Sequence, residues 1–240
     1  MDENQTAALL ADLNSSDKPT IRAAVDKLIK LAAATPALAD ELNYLLDDSR
    51  GKHPWPAAYI LAHLPHPSPQ VFEVLLKALA HPDPDIRWAV MLLLVRLAKT
   101  DSGIIRLLLE LRETGTPTQR RMALYCIRDL SLTDDASLHA LLDSLRDNDP
   151  TVRVTAVTSL KGRSGIDSGG RKMLYDLFVN DRDLRVRNAA AVTLAQLGSP
   201  SEEFLAALKM AGESEHAQLR KAATAAIAIL QKRRSAPAGG

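Results

Sequence analysis

The sequence predicts an all-α protein built as an α-solenoid, a stack of about seven similar helix pairs. Two observations lead there. Stepping about 33 residues along the chain lands on Arg22, Pro54, Arg87, Arg120, Arg153, Arg187 and Arg220, so six of seven marks are arginine. A fixed period in this range is the signature of a repeat array. The surroundings of each mark also repeat. Three residues before it stand Pro19, Pro84, Pro117 and Pro150, with Gly51, Leu184 and Ala217 in the other copies. Proline suits the first helical position, where its missing N–H costs nothing.

One residue earlier come Asp83, Thr116, Asp149 and Asp183, whose oxygens can cap the free N–H groups of a helix start. Downstream, the third, seventh and tenth positions are apolar in nearly every copy, for example Val90, Leu94 and Leu97 or Ala190, Leu194 and Leu197. That spacing draws one buried stripe along a helix. Arg163 alone breaks it.

Each unit therefore reads as a helix A, a short turn and an arginine-bearing helix B. The expected units are 4–33, 36–66, 69–99, 102–132, 134–164, 168–198 and 200–231, forming one array over 1–231. Residues 232–240 read as a disordered basic and Gly/Pro tail. The second unit is the least regular, with Pro54 at the arginine position and Pro56 just after it. Proline near a helix start can loosen or delay it.

A cation in the first helical turn faces the positive end of the macrodipole, so its recurrence requires a compensating partner. The expectation is a structural ladder in which Arg22, Arg87, Arg120, Arg153, Arg187 and Arg220 reach the capping aspartates Asp83, Asp149 and Asp183. A row of anion-binding arginines is the functional alternative.

The pattern resembles the HEAT repeats, closest to the short type of phycobilisome-lyase-like proteins, over about residues 5–231. The resemblance implies a right-handed superhelix whose B helices line a concave face. At 100° per residue, offsets of one, five and eight from the ladder position point away from the buried stripe. Trp55 and Tyr59, Trp88 and Leu92, and Arg121, Tyr125 and Arg128 fall there in three consecutive units. Trp, Tyr and Arg are enriched in binding hot spots. The expectation is a partner-binding face on these seven residues. The competing expectation is that the rings bridge neighbouring helices.

Enzyme readings find less support. HEAT-like DNA glycosylases of the alkylpurine class resemble this chain in size and use a tryptophan followed one turn later by an aspartate. Here Tyr59 and Leu92 stand one turn after Trp55 and Trp88, and Asp129 is off the pattern. A net charge of +1 also speaks against duplex binding. HEAT-like deoxyhypusine hydroxylases bind iron through His-Glu pairs, and no His-Glu dipeptide occurs. His53, His63, His66 and His81 are crowded but lack metal-ligand spacing. A chromophore-lyase or oxidoreductase accessory role is implied only by the short-repeat subtype.

The glycine-rich stretch Gly162–Gly170, flanked by Lys161, Arg163, Arg171 and Lys172, could cradle a phosphate, but it lacks P-loop spacing. Cys126, the single cysteine, falls beside a buried stripe and reads as a core residue.

The sequence thus predicts a protein-binding adaptor, scaffold or inhibitor-type module with no catalytic residue, metal or cofactor. Its charge is uneven, acidic in the first 150 residues and basic beyond. The Ala-rich last helix reads as poorly capped, so a partner or a second copy of the chain could cover it. No apolar run approaches a membrane span, the N-terminus lacks a secretory signal, and the cytoplasm is the expected location.

Overall fold

Helix starts follow the caps that the sequence supplies. In the computed structural model, which describes residues 3–47, 53–131 and 134–235, fourteen α-helices are found among the described residues. They pair in chain order as α1 (Glu3–Asp12) with α2 (Lys18–Ala32), α3 (Pro36–Tyr44) with α4 (Trp55–Leu61), and α5 (Pro69–Ala78) with α6 (Pro84–Ala98). Next come α7 (Ser102–Thr114) with α8 (Pro117–Asp129), and α9 (Asp135–Asp143) with α10 (Pro150–Ser159). The series ends with α11 (Ser168–Asn180) and α12 (Leu184–Leu197), then α13 (Glu202–Gly212) and α14 (Ala217–Ser235). Odd helices are the A members and even helices the B members. Gly51, named in the repeat pattern, lies outside the described residues.

The capping chemistry is as the sequence predicts. Asp83 accepts from the Asp85 amide at 2.9 Å, Asp149 from Thr151 at 2.8 Å and Asp183 from Arg185 at 2.8 Å. Thr116 and Gln119 form a reciprocal capping box at the start of α8. Each bond satisfies an amide that the helix itself leaves unpaired.

The chain divides into two units, Met1–Ile104 and Ile105–Gly240. In the first, α4 packs on α2, α3 and α5, and α5 on α6. Leu28, Leu42, Ile60, Leu75 and Leu94 are among its fully buried side chains. In the second, α10 packs between α8 and α12, and α12 between α10 and α14. Its core runs continuously through Ile127, Leu141, Ala156, Leu174, Phe178, Ala190 and Leu208, and Phe178 meets Phe204 edge to face at 5.7 Å. The small residue expected at the third position of each B stripe is fully buried in this unit (Ala123, Ala156, Ala190 and Ala223), where it allows neighbouring helices to approach.

Two expectations are revised, and the delayed start of the second B helix is seen. Arg163 does not break a helical stripe, because α10 ends at Ser159 and the chain turns through Gly162 at φ 68°. Its guanidinium donates at 3.1 Å to the Ile127 carbonyl, one of the last, intrahelically unpaired carbonyls of α8. Residues 232–235 continue α14 instead of starting a tail, and Arg233 donates to the Gln196 carbonyl. Residues 236–240 lie outside the described residues. Finally, α4 starts at Trp55 with Pro56 inside its first turn, and is only 7 residues long.

Candidate interaction face of the B helices

The ladder arginines compensate their unfavourable end of the macrodipole by reaching backward. Arg87 donates to the carbonyls of His81 and Pro82, Arg153 to those of Asp147 and Asn148, and Arg220 to those of Ser214 and Glu215. Arg120 does the same to Gly115. Each guanidinium so fastens the A–B turn of its own repeat.

The carboxylate partners differ from the predicted ones. Arg120 makes two parallel bonds to Asp147, both 2.8 Å, and Arg153 makes two to Asp181, at 2.7 and 2.9 Å. Both aspartates belong to the next repeat and stand two residues before the capping aspartate. The caps Asp149 and Asp183 are occupied by helix amides and cannot turn outward as well. Asp183 pairs with Arg185, whose side chain holds its carboxyl down at about 2. Asp83 pairs with Lys18, which also reaches Asp85 at 3.1 Å. Arg187 donates to the Phe178 carbonyl, and Arg22 is exposed. In the second unit Arg120 and Arg153 are therefore built into turns and ion pairs with all three guanidinium nitrogens engaged, which leaves these two no free fork for a ligand anion.

The glycine-rich stretch is also committed. Gly162 and Gly165 adopt positive φ, and the Gly170 amide at the start of α11 already donates to the Asp167 carboxylate at 2.8 Å. Arg171 donates at 2.9 Å to the Gly198 carbonyl. The stretch acts as a repeat connector.

The seven residues predicted for the partner face separate by exposure. On α6, Trp88 is 41% and Leu92 59% exposed, one turn apart on the same side. Arg96 and Lys99 continue that row and are also exposed. On α4, Trp55 and Tyr59 are half-buried. Trp55 packs edge to face against His81 at 6.1 Å, and Tyr59 lies 5.1 Å from the His63 ring. His63 in turn contacts the Tyr59 carbonyl at 2.8 Å. Burial pushes the His63 and His81 imidazoles down, and the nearby Arg96 adds to this at His63.

In the second unit, Arg121, Tyr125 and Arg128 are half-buried on α8. Arg128 lies 4.8 Å over the Tyr125 ring and pairs with Asp129 at 2.7 Å. The rings therefore lie in two settings. Trp55 reaches the turn between α5 and α6 and Tyr59 the turn after its own helix, whereas Trp88 and Leu92 are exposed. At the eighth offset Ala62, Val95 and Ala195 are buried, whereas Lys30, Lys161 and Ala228 are exposed. On α6 the exposed row passes instead through Arg96.

Cys126 is fully buried, and burial pushes its thiol far up, which keeps the nucleophilic thiolate scarce. Among the described residues, no three His, Cys, Asp or Glu side chains gather as a metal-binding group. No helix of the described residues is long and apolar enough to cross a membrane.

The family model for HEAT repeats matches residues 136–228. No curated protein matches the chain in sequence. Among solved structures, the chain is similar to YibA of Escherichia coli at 14% identity and a TM-score of 0.53, over 97% of this chain and 93% of that one. It is also similar to a designed armadillo repeat protein solved with the peptide (KR)4, at 17% identity and a TM-score of 0.46, over 93% and 98% of the two chains. Human deoxyhypusine hydroxylase is a third, at 16% identity and a TM-score of 0.44, over 96% and 97%. At these identities the likeness is one of fold alone.

Proposed function

We propose that this chain, which carries HEAT repeats, is a non-catalytic protein-binding module that docks its partner on the outer face of its B helices. Helix-pair repeats offer a row of parallel helices whose exposed strips form an extended surface. The observation that carries the reading is the pair Trp88 and Leu92. Two large apolar side chains stand exposed one turn apart on a helix whose residues Val90, Met91, Leu93, Leu94, Val95 and Ala98 are buried. Burying such a side chain fully is worth roughly 1.5–3 kcal/mol, so a partner that covers both gains a substantial share of its affinity there. Around them, the half-buried Trp55 and Tyr59 supply a rigid floor. In the second unit, Arg121, Tyr125 and Arg128 take the equivalent positions on α8 and form a separate proposed contact set.

The test is site-specific photocrosslinking. A photoreactive residue at Leu92 should give an adduct with the partner, and one at Glu73, exposed on the A helix α5, should not. The double variant Trp88→Ser, Leu92→Ser should abolish that adduct with an unchanged melting temperature. Equal adducts from both positions would remove the B-helix face as the docking site.

A further inference from the structure

Resting on that reading of the B-helix face, we infer that the first unit binds an acidic segment of another protein, one that carries at least one large apolar side chain. The argument starts from where the charges lie. The net charge of +1 conceals a sorting by helix type. In the first unit the A helices α1, α3 and α5 carry Asp12, Asp40, Glu41 and Glu73 against Lys77 alone, apart from Glu3 at the chain start. The B-helix side carries the cations. Lys27 and Lys30 are exposed on α2, Arg96 on α6 and Lys99 just beyond it. Against them stand Asp26, Asp83, Asp85 and, two residues beyond Lys99, Asp101, and Lys18 already pairs with Asp83 and Asp85.

Position matters as much as sign. The pairing of Lys18 with Asp83 and Asp85 brings the starts of α2 and α6 together, and α4 packs on α2. Arg96 lies close enough to His63 to influence its proton, so the α6 cations adjoin the aromatic residues of α4. The exposed indole of Trp88 and the Leu92 side chain therefore have cations toward the carboxyl ends of the helices. This is the composition of an apolar centre with a charged rim. Carboxylates on the rim would find charge-assisted partners, and one apolar side chain would cover Trp88 and Leu92. An extended polyanion such as nucleic acid fits less well, because the acidic A helices and a near-neutral total charge give no long-range attraction beyond the strip.

The experiment uses the full chain and fluorescent synthetic peptides of equal length. The probe contains glutamates flanking a leucine and a phenylalanine. One control replaces each glutamate by lysine, a second replaces both apolar residues by serine, and a third is single-stranded oligothymidylate. The glutamate peptide should bind best and weaken several-fold as salt is raised from about 50 to about 300 mM. Lys27→Glu with Arg96→Glu should weaken it about tenfold or more and favour the lysine peptide. The independent pair Lys30→Glu with Lys99→Glu should do the same, with circular dichroism confirming that each variant is folded. Equal binding of glutamate and lysine peptides, both lost in Trp88→Ser, Leu92→Ser, would overturn the acidic partner and leave the apolar docking face standing. Tighter binding of oligothymidylate, or no binding of any peptide, would overturn the inference itself.

Discussion

The two units use the same repeat differently. In the second, Arg120 and Arg153 each clamp an aspartate of the following repeat, α8 to α13 each carry a side-chain cap, and the core is unbroken from α8 to α14. In the first, the second repeat has Pro54 where the arginine belongs, its B helix is 7 residues long, and two large apolar side chains remain in water on α6. The HEAT match at residues 136–228 falls wholly within the second unit. Regular repeats spend their special residues on holding themselves together. Both tryptophans lie in the first unit, and one of them, Trp55, stands in the repeat where the pattern lapses.

The sharpest way to break this contrast is at the ladder. Arg153→Ala leaves Asp181, only 4% exposed, with no cation. It should destabilise by about 3 kcal/mol in denaturant melts. Arg87→Ala, which loses bonds to carbonyls only, should cost about 1 kcal/mol. Equal costs would show that the carboxylate adds nothing.

Within the first unit, Trp55→Ala should cost about 1–2 kcal/mol through lost packing on His81. Trp88→Ser should stay within about 0.5 kcal/mol of the parent, as surface changes do. If Trp88→Ser melts early, its ring belongs to the core. In the second unit, Cys126→Ala should cost about 1 kcal/mol. A bulky thiol reagent should label the native protein only as fast as it unfolds.

The smallest effect concerns pH. His63 and His81 are pushed below the usual imidazole value by burial, with Arg96 adding at His63 and His53 and Arg87 at His81, against Asp83. The folded state therefore favours neutral rings. Their contribution is intact above about pH 6.5, the unfolded value. It is lost as pH falls through the lower folded values, since the unfolded chain then binds more protons. The melting temperature should drop between about pH 7 and pH 5, and by less in His63→Gln. No difference between the two chains would assign the drop elsewhere.

The helix pairs and their caps were legible because a capping residue acts on amides two or three places away. The ladder partners were not. Asp147-Asn148-Asp149 offers two carboxylates two residues apart, and sequence alone does not say which one the next arginine meets. The exposed strip was legible in direction and not in width. Trp55 and Trp88 occupy one repeat position, yet Trp55 is covered by the His81 turn and Trp88 is open, a difference set by packing around a short α4. Arg163 was misread because its role depends on where α10 stops, which Gly162 fixes through its positive φ.

The carbonyl end of α12 carries one more consequence. Arg171 reaches it from the helix just before, and Arg233 from the last described turn of the chain. Gly198 stands between the two guanidiniums, and a side chain there would meet Arg233 at 3.2 Å. The final helix is thus tied to the previous repeat at its far end, where terminal helices ordinarily fray. In hydrogen exchange, amides near Arg233 should be protected together with those of α12, and cutting the chain after Gln231 should release both at once.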